Sequence, residues 1–315
     1  MPDPTHHSIM RWQPCCIVNF NVTRSETRRN ALPSFLSHAM TDKDLDNWRP
    51  ETAEAHDVLT SAPLRRLAAL FDVDRLPWSA DELPPLGHWL FFLPEDKQST
   101  LSRDGHPPTG GMLPPVTASR RMWAGGALEF LEPVLLGGAA IKRSTVEKVE
   151  HKQGKAGPLT FVTVQHGLFV DGRECVRERQ DIVYLSDAPV RTQGRPSERA
   201  ASAVRQVSLD ITALFRFSAL TFNAHRIHYD DAYAREVEGY PGLLVHGPLQ
   251  AMLLLDHVLQ TYPGARPKAF SFRAVRPLVC HRPFELRLAE IDGVIETWTA
   301  DCDGVECMQA RAVLS

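Results

Sequence analysis

Two short segments of this chain carry residue types that can move a proton beside a carbonyl group. The first is Thr221-Phe-Asn-Ala-His-Arg-Ile-His-Tyr-Asp230 and the second is Tyr240-Pro-Gly-Leu-Leu-Val-His246-Gly247-Pro248. An unperturbed imidazole titrates near neutrality, so His228 can act as a general base. The Asn223 amide, nearby in sequence, can hold a water molecule. A backbone N–H at the start of a helix can polarise a carbonyl, and Gly247 lets a ligand approach that backbone closely. His246 reads equally as a ligand contact or as a residue that orients the helix. Arg226 matches a carboxylate in bidentate fashion, or else pairs with Asp230 or Asp231 as a surface bridge. Taken alone, His228 is most simply a hydrogen-bonded surface histidine. Its place in an N-x-H-R-I-H-Y-D string ahead of a His-Gly helix start is what marks it for chemistry.

These residues need a scaffold, and the chain carries signs of a duplicated one. Asp171-Gly172-Arg173-Glu174-Cys175 and Asp303-Gly304-Val305-Glu306-Cys307 each sit between strand-like runs. Asp-Gly between alternating apolar runs signals a hairpin, because Gly accepts the positive φ that such turns need. The runs Arg121–Leu131, Ala139–Glu150, Leu159–Val170 and Glu174–Leu185 surround the first turn. Lys268–Arg276, Phe284–Ile291, Val294–Asp301 and Glu306–Leu314 surround the second. Each half therefore ends in a meander, which argues for antiparallel sheet. Short turns such as Asp292-Gly293 join the strands, with a longer loop over Lys152–Pro158.

In the C-terminal half a helix from Gly247 to about Thr261 precedes the meander, apolar on nearly every face and stopped by Tyr262-Pro263-Gly264. A helix so apolar is buried. Pro63–Phe71 is the candidate counterpart in the N-terminal half, with Pro63 suited to a first helical position. One buried helix wrapped by a curved antiparallel sheet is the hotdog arrangement. The expected class is α+β, a double hotdog of two antiparallel sheets, each wrapped around a central helix. The units fall at 41–190 and 201–315, the second of them catalytic. A Pro/Arg/Ser/Gly-rich linker over 191–200 joins them, and a tail of 1–40 precedes them.

Composition narrows the function classes. The 315 residues carry a net charge of -3, which offers no footprint for nucleic acid or an acidic membrane. No apolar run reaches the roughly 18 residues of a transmembrane helix. Cys15, Cys16, Cys175, Cys280, Cys302 and Cys307 form no C-x-x-C pair and no zinc pattern. They read as reduced thiols of a cytoplasmic protein. The tail is richer in arginine than in acids, so it reads as an unstructured lead-in or as a transit peptide to the mitochondrial matrix. No metal, flavin or nicotinamide motif stands out, and no cofactor is expected.

The Asn223–Asp230 and His246-Gly247 segments resemble the R-specific enoyl-CoA hydratases and MaoC-type dehydratases. Their motif runs S-G-D-x-N-P-x-H-x-D, followed by a segment ending in H-G. Asn223 stands where that family has its catalytic Asp, His225 where it has Asn, and Arg226 where it has Pro. His228 matches the catalytic His, Asp230 the trailing acid, and His246-Gly247 the H-G pair. Gly87-His88-Trp89-Leu90-Phe91-Phe92-Leu93-Pro94, Asp104-Gly105-His106-Pro107 and Arg120-Arg121-Met122-Trp123-Ala124-Gly125-Gly126 extend the likeness over most of the chain after Met40. With Asn223–Asp230 they look like the mesaconyl-C4-CoA hydratase (3-methylfumaryl-CoA hydratase) group.

The resemblance implies reversible addition of water to a branched, carboxylated enoyl-CoA, giving citramalyl-CoA from mesaconyl-C4-CoA. His228 and Asn223 would be catalytic, and Gly247 would meet the thioester carbonyl. Arg226, His225, Asp230 and His246 would contact the substrate. An amide is neither acid nor base, so Asn223 leaves proton delivery to His228, a relayed water or Asp230. His88-Trp89, the Asp104–Pro115 loop and Arg120–Trp123 would line the acyl pocket, with the loop as a lid; the plainer reading makes the aromatics core. The expected partner is a CoA-thioester, with a homodimer through exposed sheet edges. Alternatives are a 3-hydroxyacyl-thioester dehydratase of fatty-acid metabolism, an itaconyl-CoA hydratase, a hotdog thioesterase using Asp256 or His257, and a non-catalytic acyl-binding module.

Overall fold

The computed structural model describes residues 48–116, 118, 120–154, 157–185 and 193–315. The tail, Cys15 and Cys16 lie outside the described residues, as does the start of the linker. Strand β1 (Ala53–Val58) leads into helix α1 (Ser61–Leu70), and strands β2 (Arg120–Phe130), β3 (Ala139–Gly154), β4 (Gly157–Val170) and β5 (Arg173–Leu185) follow. The second half opens with β6 (Ala203–Val207), α2 (Ile211–Thr221), α3 (Asp231–Glu236) and α4 (Gly247–Thr261). It closes with β7 (Pro267–Ala274), β8 (Phe284–Ile291), β9 (Val294–Ala300) and β10 (Glu306–Leu314).

The strands form one ten-stranded sheet in the order β1-β3-β4-β5-β2-β7-β10-β9-β8-β6. Each half runs first-third-fourth-fifth-second from its outer edge, so the duplication seen in the Asp-Gly turns is also present in the topology. The halves join where β2 pairs with β7, Gly126 opposite Phe272. That seam needs glycine: a Cβ on Gly125 would stand 2.6 Å from the Phe272 carbonyl oxygen.

Turn chemistry sets the registers. Asp171-Gly172 and Asp292-Gly293 hold positive φ at both positions, as a two-residue hairpin demands. At Asp303-Gly304 only the glycine does, and the Asp301 carboxylate accepts from the N–H groups of Asp303 and Val305 instead. The expected Lys152–Pro158 loop is tighter than its composition implies, since β3 and β4 stay paired out to Gly154 opposite Gly157.

Helix α4 is buried along every residue from Leu249 to Leu259. Gln250 and Asp256 on it have polar partners. Gln250 accepts from Thr299, and Asp256 pairs with Arg205 of β6 at 2.8 Å. Pro63–Phe71 is helical but is not the counterpart of α4. It follows the first strand of its half as α2 follows β6, and the two helices pack together. In chain order the place of α4 is taken by the buried one-turn 3-10 helix Gly87–Leu90. Leu86, Leu90, Phe91 and Phe92 fill the core there, so the N-terminal half buries side chains of a turn where the other buries a helix.

The linker residues after 192 are held against the sheet. Ser197 N–H donates to Gly304, and the Arg199 guanidinium lies 4.1 Å over the Trp298 ring while pairing with Glu296. Cys175, Cys280 and Cys307 are buried free thiols and Cys302 is an exposed one. Among the described residues, no helix is long and apolar enough to cross a membrane.

Candidate active site

Helix α2 ends at Phe222, whose left-handed backbone (φ 49) turns the chain out of the helix while the Asn223 N–H donates to Ser218 O. The Asn223 carbonyl oxygen then accepts from His225 N–H at 2.9 Å, a side-chain turn typical of Asn. The Asn223 amide nitrogen is left as the donor. A 3-10 turn over Arg226–His228 follows and brings His228 under the segment that starts α4.

The His228 tautomer follows from its partner. Nδ1 lies 2.9 Å from the Leu244 carbonyl oxygen, which can only accept, so Nδ1 carries the proton. Nε2 therefore keeps its lone pair, and it has no partner among the described residues. The ring is buried and stacks on His246, centroids 3.6 Å apart. His246 Nε2 lies 2.9 Å from Ser218 Oγ. Burial, reinforced by the positive potential of His225, pushes the His228 pKa down to about 3. Burial, then His228 and His225, holds His246 well below the ordinary histidine range. Both rings are neutral at physiological pH, which is the state a base requires.

His225 brings in a second group. Its Nε2 lies 3.3 Å from Glu238 Oε1, and its ring lies 4.0 Å from that of His106. His106 Nδ1 is 2.7 Å from the Asp104 carboxylate. Burial lowers the His106 pKa to about 4 against the opposing pull of Asp104. Ligand atoms of Asp104, His106 and His225 come within 4.8 Å of one another, close enough to share a metal ion. Here these groups are engaged as two histidine–carboxylate pairs.

The loop carrying Asp104 is docked on the histidine segment. Arg226 N–H donates to Asp104 O at 2.9 Å, and its guanidinium donates to Arg103 O at 3.2 Å. Gly105 sits at φ +92, and a Cβ there would stand 1.8 Å from Ala224 O. Gly105→Ala is therefore expected to lift the loop from the site. It should cost about 1–3 kcal/mol of stability through backbone strain. The check is a thermal melt with limited proteolysis: unchanged Tm and no new cleavage near residue 105 would refute the docking role.

Two cavities meet beside this loop. One, of about 790 Å³, is walled by Asn223, Ala224, Phe215, Phe222 and Tyr229 on one side, and by Arg121, Met122, Trp123 and the Gly105–Pro108 stretch on the other. The second, of about 840 Å³, is lined by Arg103, Asp104, Arg120, Tyr233 and Glu238 among others. His106 and Arg121 line both.

The structure thus brings Asn223, His225, His228 and His246 together, with Gly247 opening the central helix beside them. Arg226 and Asp230 go elsewhere. They pair at 2.7 Å, Arg226 stacks on Tyr233, and Asp230 caps α3 by accepting from Tyr233 N–H. This is the surface-bridge alternative: at i,i+4 the two charges meet each other before any ligand. The segments expected to line the acyl pocket divide. Trp123 and the Asp104 loop line the first cavity, whereas His88 and Trp89 are committed to the buried Glu178 at 2.8 and 2.9 Å. Burial alone would raise the Glu178 carboxyl, but the His88 hydrogen bond holds it down to about 2. Sequence reasoning missed Ser218, Glu178 and Glu238. Only their tertiary partners distinguish them from ordinary polar residues.

Solved structures match this architecture. A MaoC-like dehydratase from Phytophthora capsici superposes with a TM-score of 0.64 at 14% identity, covering 87% of this chain and 97% of its own. A Mycobacterium tuberculosis protein with a double hotdog fold does so at 0.51 and 13%, covering 86% and 98%. The fold is a double hotdog. Residues 86–280 match the hydroxyacyl-thioester dehydratase type 2 family. Over 282 residues the chain is 39% identical to the mesaconyl-C(4)-CoA hydratase of Chloroflexus aurantiacus, covering 87% of this chain and 99% of that one. It is 28% identical over 284 residues to the mitochondrial hydroxyacyl-thioester dehydratase type 2 of Schizosaccharomyces pombe, covering 78% and 93%. The chain belongs to the hydroxyacyl-thioester dehydratase type 2 family and is a hydro-lyase.

Proposed function

We propose that this enzyme reversibly hydrates a branched, carboxylated enoyl-CoA, with mesaconyl-C4-CoA going to citramalyl-CoA. The observation that carries the reading is the neutral His228 ring, held through Nδ1 by Leu244 O and stacked on His246 at the start of α4, with no partner for Nε2 among the described residues. The chemistry follows from the groups present. The Asn223 amide orients a water molecule, and His228 Nε2 takes one of its protons as the oxygen bonds to the β-carbon. The thioester oxygen gathers the displaced electron pair and is stabilised by the Gly247 N–H at the helix N-terminus. The imidazolium then returns its proton to the α-carbon, so one water is added and His228 is restored. Asp230 takes no part, since Arg226 and the α3 cap occupy its carboxylate. In this reading the C-terminal unit (201–315) holds the base and the N-terminal unit (41–190) shapes the acyl pocket.

The preference for the C. aurantiacus type of substrate rests on the extent of that likeness, which covers nearly the whole relative. The direct test incubates the purified protein with mesaconyl-C4-CoA, itaconyl-CoA and crotonyl-CoA, following enoyl absorbance and the mass gain of one water. Hydration of mesaconyl-C4-CoA is the expected result. Turnover of crotonyl-CoA alone would move the enzyme to fatty-acyl substrates, and release of free CoA without hydration would overturn the reading.

A further inference from the structure

Arg121 places a guanidinium in the wall of both cavities. It lies on β2 opposite Tyr184 of β5, half-buried. Its charge adds to the depression of the His106 pKa, and its charge and its hydrogen bond to Tyr184 partly offset the rise that burial imposes on that phenol. Arg199, Arg205, Arg226, Arg276 and Arg287, all half-buried, each face a carboxylate within ion-pair distance. Arg121 has no such partner among the described residues. A half-buried guanidinium in a cavity wall is a natural partner for an anionic group of a ligand.

We infer that Arg121 binds the free carboxylate of the acyl group and so sets the enzyme's preference for carboxylated substrates. The inference rests on the hydratase reading above and assigns the substrate-carboxylate contact to a residue of the N-terminal half. Arg121 and Asn223 line the same cavity, so a carboxylate carried on the β-carbon of an acyl chain held at Asn223 has β2 within the same space. Met122, Trp123, Leu113 and Ile182 give that cavity an apolar wall, where a charge-assisted pair is stronger than in water. The guanidinium fork matches a planar carboxylate. The phosphates of CoA carry anionic oxygens too, and the test separates the two sources.

The experiment compares kcat/KM for mesaconyl-C4-CoA and crotonyl-CoA, which share the CoA moiety and differ in the carboxylate. It uses wild type, Arg121→Met and Arg121→Lys, each checked by thermal melting. In Arg121→Met the ratio of the two values, carboxylated over uncharged, is expected to fall by about 10- to 100-fold, the range for a hydrogen bond to a charged group. Arg121→Lys keeps the charge without the fork and should fall less; it carries the test if Arg121→Met does not fold. Equal losses on both substrates would assign Arg121 to the phosphates and overturn the proposal, as would an unmoved ratio. If wild type hydrates crotonyl-CoA but no carboxylated ester, the substrate reading itself fails, and this proposal with it.

Discussion

His228→Asn is expected to lower kcat/KM for enoyl-CoA hydration by about 10²–10⁴-fold, the range lost with a general base. Asparagine is the informative replacement. Its amide nitrogen can occupy the place of Nδ1 and keep the 2.9 Å hydrogen bond to Leu244 O, while nothing replaces the Nε2 lone pair. His228→Ala would also leave a buried carbonyl without its donor, at about 1–3 kcal/mol, and mix a folding defect with the catalytic one. The measurement is steady-state hydration beside a thermal melt. An asparagine variant that folds and keeps more than a tenth of wild-type kcat/KM would remove His228 from the proton transfer. The low intrinsic basicity of the ring does not conflict with the role. A carboxylated substrate brings negative charge toward a cluster of neutral imidazoles, which favours their protonated forms.

Mild acid is expected to destabilise the protein strongly. Folded His106, His228 and His257 have pKa values lowered by burial to about 4, 3 and 4, and His246 lies well below the ordinary value. In the unfolded chain each regains a pKa near 6.5. Between pH 6.5 and about 4 the unfolded state therefore binds more protons than the folded state, and stability falls as pH falls. Above 6.5 the effect is absent. Each such histidine costs on the order of 2 kcal/mol at pH 5, and several together approach the roughly 5–15 kcal/mol of a typical domain. Glu178, held near 2, does not offset this and stays ionised down to lower pH, whereas the Asp256 carboxyl, raised by burial, works in the opposite direction. A melt series from pH 8 to pH 5 checks the expectation. Tm should be flat above pH 7 and drop steeply below 6.5. In His257→Asn, which lies away from the cavities, the slope should be shallower by about 1.4 kcal/mol per pH unit, one proton's worth. A flat Tm down to pH 5 would contradict the buried neutral state of these rings.

Much of the architecture was legible along the chain because it is locally encoded. The hairpins follow from Asp171-Gly172 and Asp292-Gly293, whose backbone geometry few other pairs adopt. Strands β8 and β10 begin and end where alternation and turn residues place them, and α4 is buried as its unbroken apolar run requires. The short outer strands β1 and β6 were not legible. They are exposed on alternate residues and carry charge, and only pairing with β3 and β8 makes them strands.

At the site the division has the same cause. Sequence alone determined that Asn223, His225, His228, His246 and Gly247 belong together, because their spacing across one loop and one helix start is a short-range property. It also left Arg226 two roles, and local spacing could not choose between them. Tertiary structure made that choice by setting Asp230 and Tyr233 around the guanidinium. It alone brought Asp104 and His106 from the other half onto His225, fixed the His228 tautomer through Leu244 O, and left Arg121 in the cavity wall without a carboxylate among the described residues. Hydrogen bonding and charge pairing between residues distant along the chain depend on how the two half-sheets meet, and no periodicity or motif within either half records that meeting.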